Sequence, residues 1–301
     1  MRDFFIGADG GGTKTRLQLE DANGHLLAEA LSGPANVRSS VEGSWKSIME
    51  GVHQLLHQAG LSLEDPTARF HIGLGLAGTE VKNVAQKFLS YAHPFHTLML
   101  ESDAYAACLG VHDGRDGAII IIGTGVIGYQ IESGTTSRVG GFGFPHDDLG
   151  GGAWFGLRAC QLLLQACDGR RATTPLLEIL FEHFRRDLND LVAWANAATP
   201  GDFGTLAPIV IQEAARGELL AKALMKEAAE YIMLLDRALN KKLKQKDALL
   251  PCCLLGGIAP HLRPYLDASL LIRLKPRLQD AAKGAIYMIR NHVNQVQGSP
   301  S

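Results

Sequence analysis

The sequence offers no material for crossing a membrane, cross-linking itself or binding a polyanion. No apolar run approaches the roughly 18 residues that span a bilayer, and Met1-Arg2-Asp3-Phe4-Phe5-Ile6 lacks the basic-then-apolar layout of a secretory signal; the expectation is a cytoplasmic protein. Five cysteines are an odd count without a Cys-x-x-Cys pair, so neither a disulfide framework nor a zinc ribbon is supported. Eleven histidines include no His-Glu-x-x-His pattern, and His93 and His96 flank Pro94 as loop or helix-end residues. Charge of one sign is also missing: 29 Lys and Arg against 31 Asp and Glu leave a net −2, which advertises no nucleic-acid or membrane partner. The basic run 240–246 reads as the solvated end of a helix.

What is there is an ordinary globular balance, 46% apolar and 20% charged in 301 residues. Single cores stop growing near about 250 to 300 residues, so two domains sharing a cleft are expected. Phe4 to Asp9, Thr15 to Glu20 and His25 to Leu31 read as a three-stranded meander. A helix from Val41 to Ala59 follows, with Trp45, Ile48, Met49, Val52, Leu55 and Leu56 at three-and-four spacing, then a strand from Phe70 to Leu76. A helix over Val81 to Tyr91, a strand over Thr97 to Leu100 and a short helix over Ala104 to Val111 close this half.

From Ala118 the plan restarts. The buried run 118–122 leads to a Gly123-Thr124-Gly125 turn and two further strands, Gly128 to Glu132 and Thr135 to Val139. Residues 152–245 are largely helical, clearest from Leu219 to Leu243; a strand from Ala248 to Leu255 ends in Gly256-Gly257, and a last helix runs from about Asp280 to Val296. The expected division is an N-terminal lobe of residues 1–113, rejoined by the helix 280–296, and a C-terminal lobe of residues 114–279.

Three glycine clusters compete for a nucleotide. Gly7 to Gly12 fails as a P-loop, because Thr13-Lys14-Thr15 and an alternating strand follow it where Gly-Lys-Ser/Thr and a helix are required. Gly73-Leu74-Gly75-Leu76-Ala77-Gly78 fits a dinucleotide fingerprint better, between a strand and a helix, with Glu101 ending the next strand. Against it, Glu101 comes later than the usual spacing of about 20 residues, and no further strand-helix alternation completes that fold. Gly123 to Gly128 also spells Gly-x-Gly-x-x-Gly, but a strand follows, so no helix N-terminus is available for a pyrophosphate.

Paired across two facing meanders, Asp9 to Thr15 and Gly123-Thr124-Gly125 resemble the two phosphate loops of the sugar kinase, actin and heat-shock chaperone superfamily. Glycine lets the main chain approach phosphate oxygens, and successive amides form an anion-binding concavity. Over the whole chain, Ser32 to Asn36, Gly75 to Gly78, Ser102 to Tyr105, Gly140 to Gly143, Asp148 to Leu157 and Leu255 to Ile258 extend the likeness to the N-acetylglucosamine kinase family, which also contains the benzoyl-CoA reductase-type ATPases.

The resemblance implies an α/β fold of two ribonuclease-H-like domains around a nucleotide cleft, and Mg²⁺-ATP-dependent phosphorylation of the 6-hydroxyl of glucosamine or N-acetylglucosamine, a small-molecule amino sugar, by a homodimer. It implies Asp103 as catalytic base, whose alternative is a helix N-cap, and Asp9 as the Mg²⁺ residue, whose alternative is a turn. Gly11, Gly12, Thr13 and Lys14, with Thr124 and Gly125, would clasp phosphates, and Gly256 and Gly257 would lie beside the adenosine. Asn36, Asp103, Gly141, Phe142, Gly143 and Asp148 would hold the sugar.

Two departures stand out: the family commonly has Gly-Thr-Gly-Ser where this chain has Val126, and Asp-Glu-Gly-Ser-Gly where it has Asp148-Leu149-Gly150-Gly151-Gly152. A second function, a partner-dependent ATPase activator with a bridging iron-sulfur cluster, would need cysteines at a subunit surface; Cys160 and Cys167 are its candidates. A sugar-sensing transcription regulator is disfavoured, with no helix-turn-helix segment before Phe4.

Overall fold

The computed structural model describes residues 1–245 and 249–298. In chain order it contains β1 (Arg2–Gly10), β2 (Thr15–Asp21), β3 (Leu26–Ser32), α1 (Val41–Ala59), β4 (Ala68–Leu76), α2 (Lys82–Leu89), β5 (Thr97–Ser102) and α3 (Asp103–Val111). The next stretch is β6 (Gly117–Ile122), β7 (Val126–Glu132), β8 (Thr135–Gly140), α4 (Gly152–Cys167), α5 (Pro175–His183), α6 (Leu188–Ala197), α7 (Pro200–Gly204), α8 (Ala207–Arg216) and α9 (Leu219–Lys241). It ends with β9 (Cys252–Leu255), α10 (Ala259–Leu262), α11 (Ala268–Leu271) and α12 (Ala281–Gly298).

These elements form two compact units, Met1–Gly117 with Pro276–Ser301, and Ala118–Lys275. The return to the first unit begins at Pro276, four residues earlier than the helix start expected from sequence, because Leu278 and Gln279 donate backbone hydrogen bonds to the Val111 and Gly110 carbonyls. The strand expected from Ala248 is seen from Cys252; Lys246 and Ala248 lie outside the described residues.

The first unit carries a five-stranded sheet in the order β3-β2-β1-β4-β5. The meander β1-β2-β3 is antiparallel, and β4 and β5 run parallel to β1. Alternation along β1 sends Phe4, Ile6 and Ala8 into one core, where Trp45, Ile48, Val52 and Leu55 supply the apolar stripe of α1. Ser40 caps α1, its hydroxyl accepting from the Gly43 amide, and Gly60 ends it in the left-handed conformation.

The opposite face of the sheet meets α12, with Phe5 packed on Ile286, Ile289 and Val293. This contact is backbone on backbone. A Cβ on Gly7 would stand 2.0 Å from the Ala282 carbonyl oxygen, one on Gly73 2.1 Å from that of Ala285, and one on Gly284 1.9 Å from that of Ala106. Charges pin the helix as well: buried Glu20 pairs with Lys283 and Arg290, and the Arg290 guanidinium lies 4.0 Å from the Phe5 ring centre.

The second unit repeats the strand order on a smaller scale, β8-β7-β6-β9, with β9 parallel to β6. Its core is helical, built around Phe155, Leu163, Leu176, Leu224 and Ile232. A charged pair is buried there, Asp236 of α9 with Arg273, which also donates to the Leu250 carbonyl.

The glycine contacts yield a stability test. Gly73→Ala should lower the unfolding free energy by about 3 kcal/mol, at the upper end of overpacking costs, since a backbone carbonyl blocks the added methyl. Gly12→Ala, with no atom within 4 Å of its Cβ position, should change it by less than about 0.5 kcal/mol; urea denaturation of both variants measures the difference.

Candidate functional site

In the first unit, three parallel strands end together. Asp9 stands opposite Gly75 and Gly75 opposite Glu101; one residue later Gly10, Leu76 and Ser102 align. Ligands of open α/β sheets bind beyond such carboxyl ends. Ser102 is the N-cap of α3, its hydroxyl accepting from the Tyr105 amide at 3.1 Å. Asp103 is therefore the first helical residue and not the cap, with one carboxylate oxygen accepting from the Ala104 amide at 2.8 Å.

Asp9 is half-buried and lies within the electrostatic reach of two other carboxylates. Burial pushes its carboxyl up to about 6, and the charges of Asp103 and Asp280 push the same way, while Arg16 and Arg277 offset them in part. Asp280, just ahead of α12, accepts from the Lys283 amide through Oδ1 and from Arg16 and Gln18 through Oδ2. Sequence alone marks Asp280 only as a helix start and gives Arg16 and Arg277 no role. Only the pairing register, which places Arg16 opposite Asp9, and the return of the chain bring them in.

The first glycine turn follows Asp9 directly. The Gly11 amide donates to the Lys14 carbonyl, while the Gly10 and Gly11 carbonyls accept from Ala77 and Ala35. Gly12, Thr13 and Lys14 are exposed, whereas Thr15 is buried with its hydroxyl on the Gly33 carbonyl at 2.7 Å. Asn36 lies beside this turn, bridged to Ala77, and its Oδ1 accepts from the Arg38 amide at 3.0 Å.

The rival glycine cluster has a packing explanation. Gly73 faces α12, a Cβ on Gly75 would meet that of Ala106 at 2.4 Å, and one on Gly78 would meet Asn36 Oδ1 at 2.7 Å. These glycines admit helices and a loop, as close contacts demand.

In the second unit, the turn 123–125 rests on the start of α4. The Gly152 and Ala153 amides donate to the Gly123 and Thr124 carbonyls at 2.8 and 3.0 Å. Asp148, in the left-handed conformation at φ +64°, turns its carboxylate onto the same turn and accepts from the Val126 amide at 3.1 Å. Burial raises its pKa. A Cβ on Gly125 would lie 2.6 Å from Asp148 Oδ2, so glycine at 125 is what lets that carboxylate approach. Asp148 is no helix cap, since Gly151 occupies that position before α4.

Gly141, Phe142 and Gly143 sit on the loop after β8, with both glycines at positive φ. Phe142 is 77% exposed, with Arg138 over its ring. Its amide donates to Asp147, so loop and Asp148 share one anchor segment.

A cavity of about 420 Å³ opens beside the second turn. Gly123, Thr124, Gly152 and Gly204 form one end, and Gly257 and Ile258 one side. The left-handed Gly256 (φ +90°) shapes that side: a Cβ there would stand 2.2 Å from the Ile122 carbonyl oxygen. Ala207, Pro208, Ile211 and Gln212 of α8 also line the cavity, with His261 of α10. The α8 face and His261 had no expected role; their only sequence signal is helical spacing, which any core-facing helix shares. Cys160 is buried in the helical core and its thiol pushed up to about 12, an inert position.

The chain is 38% identical over 284 residues to the glucosamine kinase of Vibrio cholerae serotype O1, covering 94% of this chain and 95% of that one. It superposes with a TM-score of 0.82 on the crystal structure of a candidate N-acetylglucosamine kinase from Chromobacterium violaceum, at 36% identity over 95% of this chain and 98% of that one. A ROK hexokinase from Thermus thermophilus, at 18% identity, shares the fold with a TM-score of 0.60 over 96% of this chain and 99% of that one. Residues 6–270 match the family model itself, and the chain belongs to the BadF/BadG/BcrA/BcrD ATPase family.

Proposed function

We propose that this protein is an ATP-dependent amino-sugar kinase that phosphorylates the 6-hydroxyl of glucosamine or N-acetylglucosamine. The observation that carries the reading is the alignment of Asp9 and the N-terminus of α3, with Asp103, at the carboxyl ends of parallel strands, beside an exposed Gly12-Thr13-Lys14 turn. The family and the two kinase relatives support the same chemistry.

Phosphoryl transfer asks mainly for positioning and charge stabilisation. In this reading Asp103 takes the proton of the attacking hydroxyl as the bond from that oxygen to phosphorus forms and ADP leaves. Its carboxylate is held by the Ala104 amide at the start of α3. Gly11, Gly12, Thr13 and Lys14 from the first turn, and Thr124 and Gly125 from the second, hold phosphate oxygens through amides, hydroxyls and the lysine charge. Gly256 and Gly257 bound the adenosine side. Asn36, whose Oδ1 is occupied by the Arg38 amide, offers its Nδ2 as a donor to the sugar, and Gly141, Phe142, Gly143 and Asp148 line the same substrate. The protein is proposed to act as a homodimer in the cytoplasm; among the described residues no helix is long and apolar enough to cross a membrane.

Mg²⁺ suits the donor set of the first unit. Among the described residues no group of three or more His, Cys, Asp or Glu forms a protein cage. Asp9 instead offers a carboxylate under like-charge stress, and Mg²⁺ favours one or two carboxylates with retained waters. Asp9 would hold it, and the ion would neutralise charge on the phosphates.

ADP release with Mg²⁺-ATP, assayed against glucosamine, N-acetylglucosamine, N-acetylmannosamine, glucose and no sugar, tests the reading. Activity confined to an amino sugar, with the phosphorylated product verified by mass, is the expected result; sugar-independent hydrolysis would sink it. Asp103→Asn should lower kcat by about 10²-fold or more while leaving ATP and sugar dissociation constants within about twofold.

A second test concerns Asp9 without ligand. Its folded pKa is raised, so the ionised form destabilises the native state, and stability falls as pH rises from about 4 through about 6. Asp9→Asn removes that penalty. By chemical denaturation without nucleotide, the variant should exceed wild type by up to about 3 kcal/mol at pH 8, with the gap narrowing to about half at pH 5.

A further inference from the structure

The cavity beside the second glycine turn has a polar edge that the phosphate and adenosine turns do not account for. At its Thr124 end a hydroxyl is suited to phosphate, and the rest of the lining is mostly apolar, with Ala207, Pro208 and Ile211 of α8 and with Ile258. A volume of about 420 Å³ lies within the range of small-molecule sites. Away from the Thr124 end, the lining contains two side chains with hydrogen-bonding groups, Gln212 of α8 and His261 of α10, both exposed at the rim. Among the described residues, no carboxylate, lysine or arginine lines the cavity.

That lining can hold the flat faces of a purine between apolar walls, and it leaves the reading of the base edge to the rim. A carboxamide presents a donor and an acceptor side by side, the complement of adenine N7 and N6–H₂. Guanine presents two acceptors on that edge, N7 and O6, and on its other edge N1–H and N2–H₂, which a carboxylate would accept together. The cavity has no such carboxylate. We propose that Gln212 selects the base of the bound nucleotide, favouring adenine over guanine. This rests on the reading of the cavity as the nucleotide site.

The test is equilibrium binding of Mg²⁺-ATP and Mg²⁺-GTP by titration calorimetry to wild type, Gln212→Ala, Gln212→Glu and Thr124→Ala. Because Gln212 is exposed on α8, its variants should melt within a degree or two of wild type. Wild type should prefer ATP. Gln212→Ala should weaken ATP by about tenfold with little change for GTP, the size of one lost base contact. Gln212→Glu should weaken ATP by about tenfold without strengthening GTP, because on that edge a carboxylate repels adenine N7 and both N7 and O6 of guanine. Thr124→Ala should weaken both nucleotides equally.

An ATP-to-GTP preference unchanged within twofold in Gln212→Ala, or ATP affinity unchanged within twofold in Gln212→Glu, would overturn the assignment while leaving the nucleotide site standing, provided that Thr124→Ala weakens binding. Wild-type protein that binds neither nucleotide would overturn the site itself, and the role of Gln212 with it.

Discussion

Everything in the first unit depends on the approach of α12 to the sheet at a distance that only hydrogen side chains permit. Gly7 and Gly73 on the strands meet the carbonyls of Ala282 and Ala285, and Gly284 on the helix meets that of Ala106. Backbone surfaces in such contact are rigid in the way that close-packed interiors are, because displacement of any one element forces a carbonyl into a Cα. The ends of β1, β4 and β5 are thereby fixed against the starts of α3 and α12, and the side chains projecting there inherit that rigidity. Asp9, Asp103 and Asp280 are brought together by packing, with no mutual attraction to hold them.

Charge then sets the character of this end of the sheet. The charges of Asp103 and Asp280 act on Asp9, whose burial already disfavours ionisation, and Arg16 pairs with Asp280. A carboxyl raised to about 6 is a poor structural element and a ready host for a cation. The second unit solves a related problem with different means. Its turn presents Thr124 to the cavity, while the Gly123 amide and the Gly152 and Ala153 amides at the start of α4 are committed to turn carbonyls. A phosphate held there, as proposed, would meet the turn itself and not free amides of the helix N-terminus.

Much of the fold was legible in the sequence because its signals are local. Helix α1 spans Val41–Ala59, the range its apolar spacing implies, and both meanders are where alternation and turn residues place them. The placement of Asp103 after an apolar strand was equally readable. What sequence could not supply was lateral register and chain return. Nothing local distinguishes Arg16 from any exposed residue of a strand, and Asp280 looks like an ordinary helix start. Gly73 and Gly75 show the reverse case, where a spacing suited to a dinucleotide serves helix packing. The α8 wall was invisible because a stripe at helical spacing does not say whether it faces a core or a cavity.

The first unit is built from both ends of the chain, with the whole of the second unit inserted between Gly117 and Pro276. During synthesis the strands β1, β4 and β5 emerge long before the helix that covers their glycine face. Residues 118–275, contiguous in sequence, can complete their own core first. Until α12 leaves the ribosome, Phe5 and the glycine surface of the sheet stay uncovered, an apolar face of the kind that chaperones hold. The half of the molecule that is encoded first is therefore the half that finishes last.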